Sequence, residues 1–185
     1  MLVRRGYGVL LLDLRNHGYD IPFFFHDGES AWPDDENLYD AYLLASKRIG
    51  HGFNLFRFPA VLEGVIAADI PLEVSPISNQ LLRYVRDLRM HPAAEYLSRG
   101  VPIVISSDDP GLFDYTGLSY DFWEAAMAWR LDLRALKKLS SNSITYSSLD
   151  AGEKKEAFAY WSAQWDAFIE NLNLSETGMR IPGTR

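Results

Sequence analysis

Four short runs rich in aromatic and β-branched residues recur along this chain, each followed sooner or later by a stretch with helical spacing. The runs are residues 21–25, 48–51, 71–77 and 101–106. Between them, apolar side chains return every three or four positions over 34–46 (Leu38, Tyr42 and Ala45 on one side), over 58–68, and over 91–99, which Gly100 closes. Strand and helix alternating in this way predict parallel pairing, because a crossover helix carries the chain back to the starting end of the sheet. The class expected is therefore α/β, with chemistry at the C-terminal ends of the strands, as in a (β/α)₈ barrel or a doubly wound sheet. Run 21–25 is continuously apolar and reads as a strand buried on both faces.

The flanks add helices. Residues 2–16 have helical spacing and stop at Gly18. Two long helices, 120–138 and 151–171, follow the fourth run. Their stripes, Phe122, Ala126 and Trp129 in one and Phe158, Trp161, Trp165 and Phe168 in the other, read as core. The 185 residues can bury a sizeable core, and residues 1–174 are expected to form a single domain with 175–185 as a tail. A net charge of −7 without a basic stripe argues against a nucleic-acid partner. No run approaches the roughly 20 apolar residues that cross a bilayer, so no membrane is expected. Residues 9–12 are too short an apolar block for a signal peptide. With no cysteine there is neither a disulfide framework nor a thiolate metal site.

Ligand-type and acid–base side chains cluster where the runs end. His26-Asp27-Gly28-Glu29 offers a neutral imidazole to a metal and a carboxylate three residues on, or else a hydrogen-bonded strand-end turn. Gly50-His51-Gly52 leaves one imidazole reachable between small flanks, which suits a general base and equally suits an ordinary loop histidine. Ser106-Ser107-Asp108-Asp109-Pro110 puts two carboxylates side by side at the end of a buried run. Their repulsion asks for a metal on one and a hydrogen-bond donor on the other. The alternative is an Asp109-Pro110-Gly111 turn with Asp108 as a cap. Glu73 inside an apolar run calls for an ion pair, His17 reads as a helix-end cation, and His91 before Pro92 reads as a helix start. No phosphate loop, GxSxG or CxxC pattern occurs.

Taken in order, several segments resemble the C-terminal catalytic half of the adenosine deaminases, most closely the secreted, growth-factor-related branch. They are Phe24-Phe25-His26-Asp27-Gly28-Glu29, Arg48-Ile49-Gly50-His51-Gly52-Phe53, Ile70-Pro71-Leu72-Glu73-Val74-Ser75-Pro76-Ile77-Ser78-Asn79-Gln80 and Val104-Ile105-Ser106-Ser107-Asp108-Asp109-Pro110. Gly117-Leu118-Ser119-Tyr120-Asp121-Phe122, Asn142-Ser143-Ile144 and Tyr146-Ser147 extend the likeness over roughly residues 21–172.

The resemblance implies a zinc-dependent (β/α)₈ barrel that hydrolytically removes the 6-amino group of adenosine or deoxyadenosine. It implies His26 and Asp108 as Zn²⁺ ligands and Glu29 as proton donor to purine N1. The Gly28 backbone would contact the base, His51 would orient or deprotonate the zinc-held water, and Asp109 would accept a hydrogen bond at purine N7. Asp27 stands where the family has a small residue, and Ser75 where it often has cysteine. The family's His-x-His metal pair has no counterpart here. About four strands make half of a barrel that takes about 250 residues. The expectation is thus a partial barrel, inactive by itself, from a secreted and extracellular parent that self-associates or forms a homodimer. The competing reading is a truncated, non-catalytic purine-binding or interaction protein.

Overall fold

The four runs do become strands, and they pair in parallel in chain order, β1-β2-β3-β4. The computed structural model describes residues 16–19, 22–30, 32 and 35–176. Most of the helix expected over 2–16 therefore lies outside the described residues, as do 177–185 of the tail. The strands are β1 (Phe24–Asp27), β2 (Arg48–His51), β3 (Leu72–Val74) and β4 (Ile103–Ile105). The register sets Phe24 beside Arg48, His26 beside Gly50, Ile49 beside Leu72, and Leu72 beside Ile103. The helices are α1 (Asn37–Leu43), α2 (Pro59–Ala67), α3 (Pro76–Leu81), α4 (Ala93–Ser98), α5 (Ser119–Trp129), α6 (Leu133–Thr145) and α7 (Ala151–Glu176).

Leu38 of α1, Ile49 of β2, Val65 of α2, Leu72 of β3, Ile103 of β4 and Leu139 of α6 meet in one fully buried cluster between the sheet and its helices. Burying such side chains contributes roughly 1.5–3 kcal/mol each. The charge inside run 71–77 has the partner that was expected. Glu73 on β3 pairs with Arg48 on β2, whose guanidinium also lies 4.7 Å from the centroid of the Phe24 ring and donates to the Tyr146 carbonyl at 2.8 Å.

Four boundaries and two packing expectations change, each for a physical reason. Run 71–77 is a strand only over Leu72–Val74, because Pro76 opens α3 at a position where its missing N–H costs nothing. The single helix expected over 120–138 is two. Arg130 turns left-handed (φ 54°), and Asp132 restarts the helix by accepting from the Ala135 N–H at 2.8 Å. The helix expected over 34–46 is the shorter α1, and that expected over 151–171 runs on to Glu176. At its start Asp150 and Glu153 each accept the other's backbone N–H, a reciprocal cap. Strand β1 is not buried on both faces: Phe24, 40% exposed, and His26 share a face that stays open among the described residues. The aromatic stripes are core only in part: Phe122 and Trp129 pack against the buried cluster. Phe122, Trp161, Trp165 and Phe168, with Leu118 and Trp123, line an apolar groove of ≈ 660 Å³ between α5, α6 and α7.

His91 does more than precede a helix. Its Nδ1 accepts from the Ala93 N–H (3.0 Å), so the proton sits on Nε2, which donates to Asn79 Oδ1 (3.0 Å). The ring is buried against Phe53 and Trp129, and that burial pushes its pKa down to about 4.

Two predictions follow from these contacts. Replacing the Asp132 cap by alanine leaves the Ala135 N–H without its partner and costs about 0.5–2 kcal/mol in urea unfolding. His91 is held neutral in the folded state, while its unfolded pKa is near 6.5. Its share of stability is complete above that value and drains as pH falls towards about 4, by up to about 3 kcal/mol. Unfolding midpoints measured across this window should fall less steeply for His91→Gln than for the parent chain. Parallel slopes would show that the ring titrates without consequence.

Candidate active site

Because the strands are parallel, their C-terminal ends share one edge of the sheet, and the three chemistry-bearing segments meet there. His26 lies on β1 next to Gly50 of β2, and a Cβ at Gly50 would sit 2.9 Å from His26 Nδ1. Glycine is required so that the imidazole can lie across the neighbouring strand. His51, the last residue of β2, and Asp108, just beyond β4, both adopt left-handed backbone (φ 65° and 57°). Such conformations are costly for side-chain-bearing residues and are held only where the surroundings fix them.

The ligand atoms of His26, His51 and Asp108 all lie within 4.8 Å of one another. The two imidazoles meet edge to face, centroids 5.1 Å apart. His51 is buried (its side chain 4% exposed); its Nε2 stands 3.5 Å from Glu29 Oε2. Its Nδ1 has no hydrogen-bond partner among the described residues. Asp108 is held from the side: the hydroxyl of Ser78, fully buried on α3, donates to Oδ2 at 2.6 Å. Helix α3 is itself fixed. Asp121 of α5 accepts from the Ile77 N–H at 3.2 Å and from the Tyr115 hydroxyl at 2.9 Å, and burial raises its carboxyl pKa.

The loop after β1 is pinned by two asparagines. Gly28 (φ 72°) has no room for a Cβ beneath Leu38, and its N–H donates to Asn37 Oδ1 at 3.1 Å. Its carbonyl accepts from the Asn54 N–H at 2.8 Å, and Asn54 Nδ2 donates to the Glu29 and Ser30 carbonyls. The Gly28 backbone expected to touch a ligand is thus already engaged within the protein. Glu29 keeps a fixed backbone and a side chain still 31% exposed.

Asp27 and Asp109 stay out of the cluster. Successive strand residues point to opposite faces, so Asp27 is turned away from His26. It is buried with Oδ2 unpaired among the described residues. Burial first, and then the nearby Asp35 and Asp40 charges, push its pKa up to about 7. Asp109 is exposed in a turn where its carbonyl accepts from the Leu112 N–H at 2.9 Å. The adjacent carboxylates therefore separate, Asp108 towards the cluster and Asp109 towards solvent, and the hydroxyl donor falls on Asp108 and not on its neighbour.

Two imidazoles and a carboxylate suit a borderline divalent cation such as zinc. The Nδ1 of buried His51 is unpaired among the described residues, and a hydroxyl fixes the Asp108 carboxylate, features compatible with a cation held there. Sequence reading found His26, His51, Asp108 and Glu29 but missed Ser78, Asn37 and Asn54. Their positions in ordinary helical or polar stretches carry no signal until the fold aims them.

Solved structures share this architecture. The adenine deaminase from Arthrobacter aurescens superposes with a TM-score of 0.72 at 26% identity over 85% of this chain and 48% of its own. A Zn-bound amidohydrolase from Burkholderia ambifaria, at 23% identity, reaches 0.74 over 90% of this chain and 46% of its own, a likeness of fold. The α/β class and the partial barrel are therefore as expected. Adenosine deaminase 2 from Sus scrofa is 50% identical over 90% of this chain and 34% of its own length, and that from Homo sapiens 48% over 84% and 32%. The chain thus spans about a third of the curated relatives it matches. The adenosine deaminase family model matches residues 15–159, and this chain belongs to that family, on the side of adenosine deaminase 2.

Proposed function

We propose that this chain forms part of a longer catalytic barrel that converts adenosine or deoxyadenosine, with water, to the 6-oxo nucleoside and ammonia in a zinc-dependent reaction. The observation that carries the reading is the meeting of His26, His51 and Asp108 within 4.8 Å at the C-terminal strand ends, with Glu29 beside His51. Barrels of this architecture work at that face.

His26 and Asp108 would hold the Zn²⁺, with Ser78 keeping Asp108 aimed. When bound, zinc supplies the Lewis acidity that makes water nucleophilic near neutral pH. The protein's own groups do the rest. Glu29 gives a proton to purine N1, which draws electron density from C6 and opens it to attack. His51 takes one proton of the attacking water and passes it to the amino group; the C6–N bond breaks, ammonia leaves, and the remaining hydroxyl proton returns to Glu29 as C6 becomes a carbonyl. Purine N7 offers only a lone pair, so a hydrogen bond there needs Asp109 as the donor in its protonated form. The expectation that it accepts is revised on that ground. A base stacked above Gly28 must share the N–H that Asn37 now holds.

Residues 1–174 are taken as one partial-barrel domain with 175–185 as its tail, in keeping with one buried cluster among the described residues. No described helix is long and apolar enough to cross a membrane. Secretion of the parent, and its self-association as a homodimer, rest on the branch resembled.

The test is turnover by the polypeptide with the remainder of the barrel in place, followed as loss of the adenine absorbance band. There Glu29→Gln should lower kcat by about 10²–10⁴-fold, the range for a proton-transfer group, while purine affinity changes only a few-fold. The 185-residue chain alone should show no turnover. Purine binding without any turnover, in the longer polypeptide too, would replace the enzyme with a non-catalytic binding protein.

A further inference from the structure

We propose that His51 is a third cation ligand in this chain, so that His26, His51 and Asp108 bind one divalent metal ion without help from other segments. The proposal concerns the same site as the deamination reading and relies on it for the choice of zinc. The ligand count motivates it. His26 and Asp108 alone make two protein ligands, whereas zinc sites use three or more. The structure supplies the third: a His51 ring atom lies within 4.8 Å of ligand atoms on both. Zinc bonds of about 2.0–2.1 Å place tetrahedral ligand atoms roughly 3.4 Å apart, a contraction that side-chain torsions can make.

Two features show that the place is prepared. Oδ2 of Asp108 accepts from the buried Ser78 hydroxyl, which restricts the carboxylate's orientation. His51 is buried with Nδ1 unpaired among the described residues, and its backbone is held left-handed. Such a histidine gains from a cation on one ring nitrogen. Its neighbour Glu29 stands 3.5 Å from Nε2.

The consequence is an exchange of roles. A His51 bound to the metal cannot act as base, so the chain by itself holds the cation and leaves purine unchanged. Ligands arriving from further segments of the barrel would displace His51 and return it to proton transfer.

The experiment is zinc titration of the purified 185-residue chain by competition with a chromophoric chelator, with Co²⁺ absorption as a second readout. One equivalent is expected. His26→Ala, Asp108→Ala and His51→Ala should each weaken binding by at least about 100-fold, and Ser78→Ala by roughly 10–100-fold. The Co²⁺ d–d bands should move in the His51 variant. Far-UV circular dichroism checks each fold, and His51→Gln, which keeps bulk and hydrogen bonding, replaces the alanine variant if that one unfolds. Parent-like zinc affinity and Co²⁺ bands in a folded His51 variant, or no stoichiometric binding by the parent, would overturn the assignment. Neither result bears on turnover by the longer polypeptide, so this inference and the deamination reading fail separately.

Discussion

Everything at this site depends on the direction of the strands. Parallel pairing in chain order carries every strand's C-terminal end to one edge, and His26, His51 and Asp108 arrive together although long helical connections separate them. An antiparallel arrangement of the same runs would send alternate ends to opposite edges and scatter the three. The burial of Ile49, Leu72 and Ile103 between sheet and helices is what holds that order, so the hydrophobic core and the chemistry are consequences of one topology.

Around the cluster the structure spends conformational freedom on aim. Left-handed backbone at His51 and Asp108, a glycine under the His26 ring, and a serine on Oδ2 of Asp108 each remove a way for these side chains to point elsewhere. The hydroxyl matters because α3 is itself anchored, through Asp121 and Tyr115, to the segment that leaves the fourth strand. A chain of partly buried hydrogen bonds thus joins the Asp108 carboxylate to α5. In such a low-dielectric network a lost partner leaves an unsatisfied group and costs more than an exposed bond.

The same half-barrel leaves surfaces that a closed one covers. Strands β1 and β4 each have a partner on one side only among the described residues, and the groove beside α7 is walled by tryptophan and phenylalanine. Aromatic periodicity on α5 and α7 shows an apolar stripe but carries no measure of what lies opposite, so a core reading and a groove reading look alike in sequence. Asp27 makes a similar point. A charge next to the clustered His26 looks like a change to the site, yet strand alternation turns it to the other face.

The chain's own letters determined the class, the four strands and the residues able to carry the chemistry, because those follow from local spacing: strand-like runs, helical stripes, and histidine or aspartate where a run ends. They did not show that α3 begins at Pro76 or that the helix after the fourth strand breaks at Arg130, since a proline or a single left-handed residue changes meaning with its surroundings. Nor could they show that His51 joins His26 and Asp108, or that Ser78 holds Asp108 from another element. Those are distances between segments far apart along the chain, and only packing the helices against a parallel sheet sets them.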